Sequence, residues 1–341
     1  MTKLVMTMIC FISIAICHGQ SDSLNFYLKK GQEAISTAQT LQAYQYYKQA
    51  TSFDSRNPVA LRGMANSASE LKYYAIARET FKKLLELTPN DPAAVGQLAQ
   101  MNFITHQWTD AIDMAKRANT FSSGTNNDWI IGKSYYETGE FGSAAVYLEK
   151  AWKKDSSNAE TAFTLARSYV ELGQYPKATE FYERALRLAP DNEVWMYEVA
   201  MTYSAIPDEV KAVIWFEKAI GKGYPRTREV MGSMVISYMG AKAYDKCLKL
   251  TNEILAAKPD DLEMLYMGGE ASYRLGKLQD AINYWEKMLT IDKNQSRAIF
   301  MIGIAYIKSG ENSKGESLCD KAIAMDPSLA SLKNNRSQFG L

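Results

Sequence analysis

The residues of this chain whose side chains most often do chemistry are few, and their spacing does not assemble a reaction centre. The two histidines, His18 and His106, are far apart in sequence, so neither has the partner a proton-relay dyad needs. His106 also falls in a turn position where sister segments carry Gly, which makes it a turn residue. Four cysteines are too few for a disulfide framework, and with two histidines they offer little for a metal cage. Cys247 and Cys319 are expected as separate buried thiols. Helices stacking at about 8 to 10 Å intervals would hold their Cα atoms beyond the roughly 7 Å limit of a disulfide. There is no phosphate loop, no helical metal-binding His pair and no nucleophile elbow. Glu137 and Glu171 are the nearest approach to an acid/base pair, and a solvated rim suits them better. Asn294 and Asn335 each begin a glycosylation sequon, a match that arises readily by chance. The chain is therefore read as a non-enzyme with no cofactor, no metal site and no small-molecule substrate.

Bulk properties exclude further classes. The 341 residues are 47% hydrophobic and 23% charged, ordinary for a folded soluble chain. Lys plus Arg number 39 against 38 Asp plus Glu, so the cationic footprint of nucleic-acid binding is missing. The amino terminus reads as a targeting segment over 1–19. Lys3 precedes the apolar run Leu4 to Cys17, and small residues Cys17 and Gly19 frame a cleavage site before Gln20. That run is too short to span a bilayer. Export is expected, to a bacterial periplasm or cell envelope. A lipid anchor on Cys17 is the alternative, against which stands the bulky Ile16 before it.

The elements that position everything else repeat. Small residues recur at Ala43, Ala77, Ala111, Ala144, Ala178, Ala212, Cys247, Ala281 and Gly315, in steps of 33 to 35 residues. A second track lies twelve residues earlier and runs from Gly31 and Ala65 to Gly269 and Gly303, with only Val235 bulky. A third, seven residues later, runs from Ala50 to Ala322. Small side chains at such points let one helix sink into the groove of another. The clearest copy is Ala159 to Asn192. Leu165, Ala166 and Tyr169 mark one helix, Leu172 to Tyr175 a turn, and Ala178, Tyr182 and Ala185 a second helix closed by Pro190. All nine prolines fall at unit openings, helix starts or connections. Gly139, Gly173, Gly276 and Gly310 occupy the turn within a unit.

A 34-residue helix-turn-helix period with small residues at unit positions 8, 20 and 27, and frequent Pro at position 32, resembles the tetratricopeptide repeat family. The resemblance covers nine units across 24–329: 24–57, 58–91, 92–124, 125–158, 159–192, 193–227, 228–261, 262–295 and 296–329. It implies an all-α fold, a right-handed superhelical α-solenoid of tandem helix-turn-helix repeats. Residues 330–341 are left as a short polar tail or partial cap. One extra residue enlarges the connection Gly221 to Pro225, and the next unit holds Gly232, Ser233 and Gly240 in its first helix. That junction is either a hinge or a tolerated insertion, since added loop length costs little. An incompletely capped end would favour weak self-association through a terminal unit.

The resemblance further implies a concave groove lined by first helices, with unit positions 2, 5, 9, 12 and 13 facing it. Position 5 carries Trp129, Phe163, Tyr197, Tyr266 and Phe300, while position 12 carries Tyr136 and Tyr273 beside Phe103 and Met239. Met201, Ile236 and Ile304 occupy position 9. These residues form either an apolar ladder for a partner, with the aromatics as hot spots, or packing against adjacent helices. Some family members clamp a chaperone C-terminus between basic and Asn residues of three units. Arg62 and Asn66 fit the first unit, Gln97 stands where Asn belongs, and Asn126 and Ile130 replace the last two cations. Without those charge-assisted bonds most of the clamp's energy is gone. Two functional readings remain. One is an exported scaffold or adaptor binding partner proteins or peptides, in envelope assembly or secretion. The other is a regulatory or substrate-presenting subunit of an enzyme on another chain. Any membrane contact is expected through a lipid anchor alone.

Overall fold

The computed structural model describes residues 21–121 and 127–334, and every regular element among them is helical. The leader 1–19, with Cys17 and His18, lies outside these residues, as do Asn126 and the sequon at Asn335. Two compact units divide the chain, one ending at Gln174 and the other beginning at Tyr175.

The first unit contains α1 over 21–36, α2 (Thr40–Phe53), α3 (Pro58–Glu70), α4 (Tyr74–Leu87), α5 (Pro92–Ile104), α6 (Trp108–Asn119), α7 (Asn127–Glu137), α8 (Phe141–Lys154) and α9 (Ala159–Glu171). The second contains α10 (Tyr175–Leu188), α11 (Glu193–Ala205), α12 (Glu209–Gly221), α13 (Arg228–Gly240), α14 (Tyr244–Ala257), α15 (Leu262–Arg274), α16 (Leu278–Ile291), α17 (Ser296–Lys308) and α18 (Asn312–Met325). A 3-10 turn, Pro327–Leu329, and the short α19 (Ala330–Asn334) follow. Within each unit a helix packs on the next in sequence. First helices of neighbouring repeats also touch, α5 with α7, α7 with α9, and α13 with α15.

Helix starts and stops follow local chemistry. The side chains of Asn57, Asp91, Asn158, Asn192, Asp208, Thr227 and Asp261 accept bonds from free backbone N–H groups at helix N-termini. Pro58 and Pro92 open α3 and α5, where a missing N–H costs nothing. First helices end in a left-handed residue followed by a backbone bond reaching back five residues, as from Gln174 N–H to the Tyr169 carbonyl at 2.8 Å. Gly139, Gly173, Gly276 and Gly310 fill that left-handed position in four repeats, and Ala38, Lys72, His106 and Lys242 fill it in four others. Pro207 occupies it at φ 21°, far from the value its ring prefers.

All three small-residue tracks are buried. Their purpose is clearest where backbones approach. A Cβ on Gly303 would come within 2.8 Å of the Gly315 carbonyl oxygen, and one on Gly132 within 2.9 Å of the Leu148 nitrogen. Large side chains fill the space between, among them Phe81, Leu148 and Leu165 in the first unit and Tyr182, Phe216 and Trp285 in the second. Cys247 and Cys319 are both buried thiols outside any disulfide.

The enlarged connection after α12 is an ordered turn. Gly223 takes φ 105°, Tyr224 donates its N–H to the Ala219 carbonyl at 3.0 Å, and its ring stacks on Tyr197. The division between the two units falls at Gln174, away from this connection. At the carboxyl end α19 is tied down by Lys333, 3.0 Å from Glu316 and 2.6 Å from Asp320.

Candidate protein-binding faces

Helix period decides which first-helix residues face away from the partner helix, and neighbouring repeats decide which of those remain accessible. In the first unit, α5, α7 and α9 present a row of aromatic and basic side chains. Trp129 is half-buried, its ring 4.9 Å edge-on from Phe103, which in turn meets Trp108 at 5.6 Å. Tyr136 is half-buried about two turns further along α7, with Lys133 5.4 Å and Arg167 5.2 Å from its ring. Lys133 reaches Glu137 at 3.1 Å and Glu160 at 3.6 Å, joining α7 to α9. Cations over tyrosine faces combine a planar apolar surface with charge, a combination suited to peptide contacts.

Phe163 departs from the expected ladder. It is 6% exposed, with Arg167 over its ring at 5.7 Å, and so forms wall rather than anchor. Phe300, at 0%, and Tyr273, at 1%, are corrected in the same way. The Phe300 carbonyl accepts a weak bond from the Cys319 thiol of α18. Tyr273 lies against Trp285, with Lys308 4.4 Å above its ring. Ile304 is fully buried too. In α17 every residue from Ala298 to Ala305 is buried, so the groove register is lost to packing there.

In the second unit Tyr197 is half-buried, and one face is covered by Tyr224, with centroids 4.4 Å apart and planes at 11°. Burial, together with Tyr224, pushes its phenol pKa up. Tyr266 is half-buried under the Arg297 guanidinium at 4.8 Å, and burial raises its pKa as well. Accessible apolar groups on these first helices include Val194 and Met201 on α11, the latter 41% exposed, and Ile236 on α13, 51% exposed. Between α11 and α13, Ser204 and Ser237 share a hydrogen bond of 3.0 Å.

The residues of the partial clamp are dispersed in role. Asn66 and Gln97 are exposed, but the Arg62 guanidinium is held by Asp91, the capping residue of α5. Burial pushes the Asp91 carboxyl up, yet Arg62 and the N–H groups of Ala94 and Ala93 bring it net below the usual range. Arg228 makes the same kind of tie to Asp261, the cap of α15, at 2.9 Å. Glu137 and Glu171 are both exposed, and Glu137 is paired with Lys133. His106 takes φ 59° in its turn, its ring 4.8 Å from Trp108.

Sequence reasoning missed Lys133 and Arg167, the cations that complete the Tyr136 site. Both stand at unit position 9, so the repeat register itself carried the signal. Among the described residues no cluster of His, Cys, Asp and Glu could hold a metal ion, and no helix is long and apolar enough to cross a membrane.

Residues 135–197 match a tetratricopeptide repeat family model. That match lies inside a run of tandem helix pairs of the same helix-turn-helix build, roughly nine among the described residues. Among solved structures, it is similar to the C-terminal part of a TPR repeat-containing protein from Cytophaga hutchinsonii, at 18% identity and TM-score 0.48, covering 81% of this chain and 99% of that one. It is also similar to PilW, a widely conserved type IV pilus biogenesis factor, at 16% identity and TM-score 0.46, covering 61% and 96%. YrrB, a TPR protein with an unusual peptide-binding site, is similar at 19% identity and TM-score 0.43, covering 53% and 92%. A search of curated proteins finds no match.

Proposed function

We propose that this chain is an exported scaffold that holds partner proteins or peptides on the first-helix face of its repeats, serving cell-envelope assembly or secretion. The observation that carries the binding face is the row Phe103, Trp129, Tyr136 and Arg167 on α5, α7 and α9. There half-buried rings stand beside cations on a surface that the chain's own packing does not close. Rigid aromatic surface of this kind loses little side-chain entropy on binding and concentrates contact energy in a few residues. Export rests on the sequence of 1–19, a charged start followed by an apolar run and small residues at the cleavage positions.

The test is crosslinking in the native envelope, comparing wild type with a Trp129→Ala/Tyr136→Ala variant whose helicity is checked by circular dichroism. A defined partner captured by wild type and lost from the variant is expected. Identical capture by both overturns the assignment of this face. Intact mass of the protein recovered from the envelope addresses export, where a chain beginning at Gln20 is expected and an unprocessed cytoplasmic chain overturns it.

A further inference from the structure

A cleft of about 660 Å³ opens on the second-helix side of the second unit, between α10, α11 and α12. Its floor is apolar, made by the buried Leu186 and Met196, and Trp215 forms one wall. Its rim is cationic, with Arg187, Lys218 and Lys222 all exposed. We propose that this cleft binds an extended acidic peptide segment, with one large apolar side chain of the peptide on the floor and its carboxylates on the rim. The site lies on the helix set opposite to the first-helix face and does not depend on that reading.

The charges favour this occupant because two of the three cations are uncommitted. Arg187 forms no ion pair among the described residues, and Lys218 stands over the Trp215 ring at 4.0 Å with no carboxylate partner. Lys222 reaches Asp191 at 2.5 Å, but that carboxylate is itself largely exposed and a competing acid can replace it. The one acid in the lining, Glu183, accepts a bond from the Tyr203 hydroxyl at 2.6 Å. The next furrow, about 420 Å³ between α12, α13 and α14, has a different balance. There Arg226 meets both carboxylate oxygens of Glu253 at 2.8 Å and Lys246 meets Glu217 at 2.7 Å. Two furrows of similar build thus differ in balance: the second pairs two of its three cations within its own lining and leaves Lys249, whereas the first leaves Arg187 and Lys218 and pairs Lys222 only with an exposed acid outside its lining. Charge-assisted bonds to a carboxylate are the strong polar contacts available to Arg and Lys, and Trp and Arg beside an apolar floor are the usual makings of a hot spot. A concave cleft of this volume admits a chain segment, whereas a bilayer surface does not fill it down to the buried Leu186 and Met196.

Gly221 makes the proposal testable. It lines the mouth of the cleft, and a Cβ placed on it meets nothing within 4 Å, so Gly221→Phe narrows the cleft without a clash in the fold. A random dodecamer phage library is panned on the full chain, and the selected sequences are synthesised. Their affinity is measured for wild type, Gly221→Phe, Arg187→Glu/Lys218→Glu and Trp129→Ala/Tyr136→Ala, each checked by circular dichroism. Expected are peptides with Asp or Glu flanking Leu, Phe or Trp that weaken about ten-fold or more in the first two variants and bind the third as wild type. Enriched peptides without acidic residues, peptides that bind Gly221→Phe as tightly as wild type, or no enrichment at all overturn the proposal. So does Arg187- and Lys218-dependent binding to phosphatidylglycerol vesicles without peptide enrichment, which would assign the rim to lipid. If Gly221→Phe fails to fold, the charge-reversal variant decides. Peptides that depend only on Trp129 and Tyr136 would support the first-helix face while overturning this one.

Discussion

Lys72 and Lys242 hold a backbone conformation that Gly139, Gly173, Gly276 and Gly310 hold elsewhere at less steric cost. A left-handed L-residue is strained by roughly 1–2 kcal/mol, while glycine raises the entropy of the unfolded chain by an amount worth about 0.4–1 kcal/mol. Lys72→Gly is therefore expected to raise stability by about 0.5 kcal/mol, and Gly173→Ala to lower it by about 1 kcal/mol or more. Shifts in the urea midpoint read both, and a destabilising Lys72→Gly would contradict the assignment of that turn. His106 belongs to this same set, which accounts for a histidine with no chemistry around it. At Cys247 burial pushes the thiol up to about 11, so the nucleophilic thiolate is suppressed and the residue acts as a small core filler.

At the scale of elements, a contact recurs between repeats that sequence reading did not anticipate. Tyr169, Tyr203 and Tyr238 stand at one position of successive first helices, and each hydroxyl donates to a Glu of the preceding second helix: Glu149, Glu183 and Glu217. The last two bonds measure 2.6 and 2.8 Å. At the corresponding place in α7, Tyr135 instead accepts from Lys116 at 2.6 Å. Burial first, then the bonded carboxylate, pushes the phenols of Tyr203 and Tyr238 well above their ordinary range. Because the folded state favours the neutral phenol, this contribution is whole below the unfolded pKa near 10 and is lost as pH rises beyond it. Thermal melts between pH 8 and 11 should show an alkaline fall in stability that is shallower in Tyr203→Phe/Tyr238→Phe. That variant should also be less stable at pH 8, by about 1–3 kcal/mol for each bond to a charged group. Equal alkaline slopes would show the bonds to be energetically idle.

At the scale of the whole molecule, stability in a tandem array is a sum of repeats and their nearest interfaces, so local damage stays local. Gly303→Ala forces α17 away from α18 at a point of backbone contact, with an expected cost of about 1–3 kcal/mol. Hydrogen exchange should rise in α17, α18 and α19 and remain unchanged in α2 to α7. A rise spread over all helices would mean that the chain unfolds as one cooperative body.

The repeat period, the helix pairs, the left-handed turns and the burial of the small-residue tracks were legible in the sequence because each depends on spacing within a few turns of chain. Ala43 and its successors must be small wherever the axes cross, and Gly173 must follow its helix whatever lies beyond. Accessibility was not legible in this way, because it depends on what a second helix, a loop or a neighbouring repeat places over a residue. Trp129 and Tyr136 stayed half-open, Phe300 and Tyr273 were enclosed, Tyr273 between Trp285 of its own second helix and Lys308 of the next repeat, and Tyr197 was covered by Tyr224 from the enlarged loop. The cleft beside Trp215 likewise exists only because residues from three helices converge on it. Period and helix pairing are local properties of this chain, whereas exposure and cleft formation came from packing among helices and loops and were decided by the tertiary structure alone.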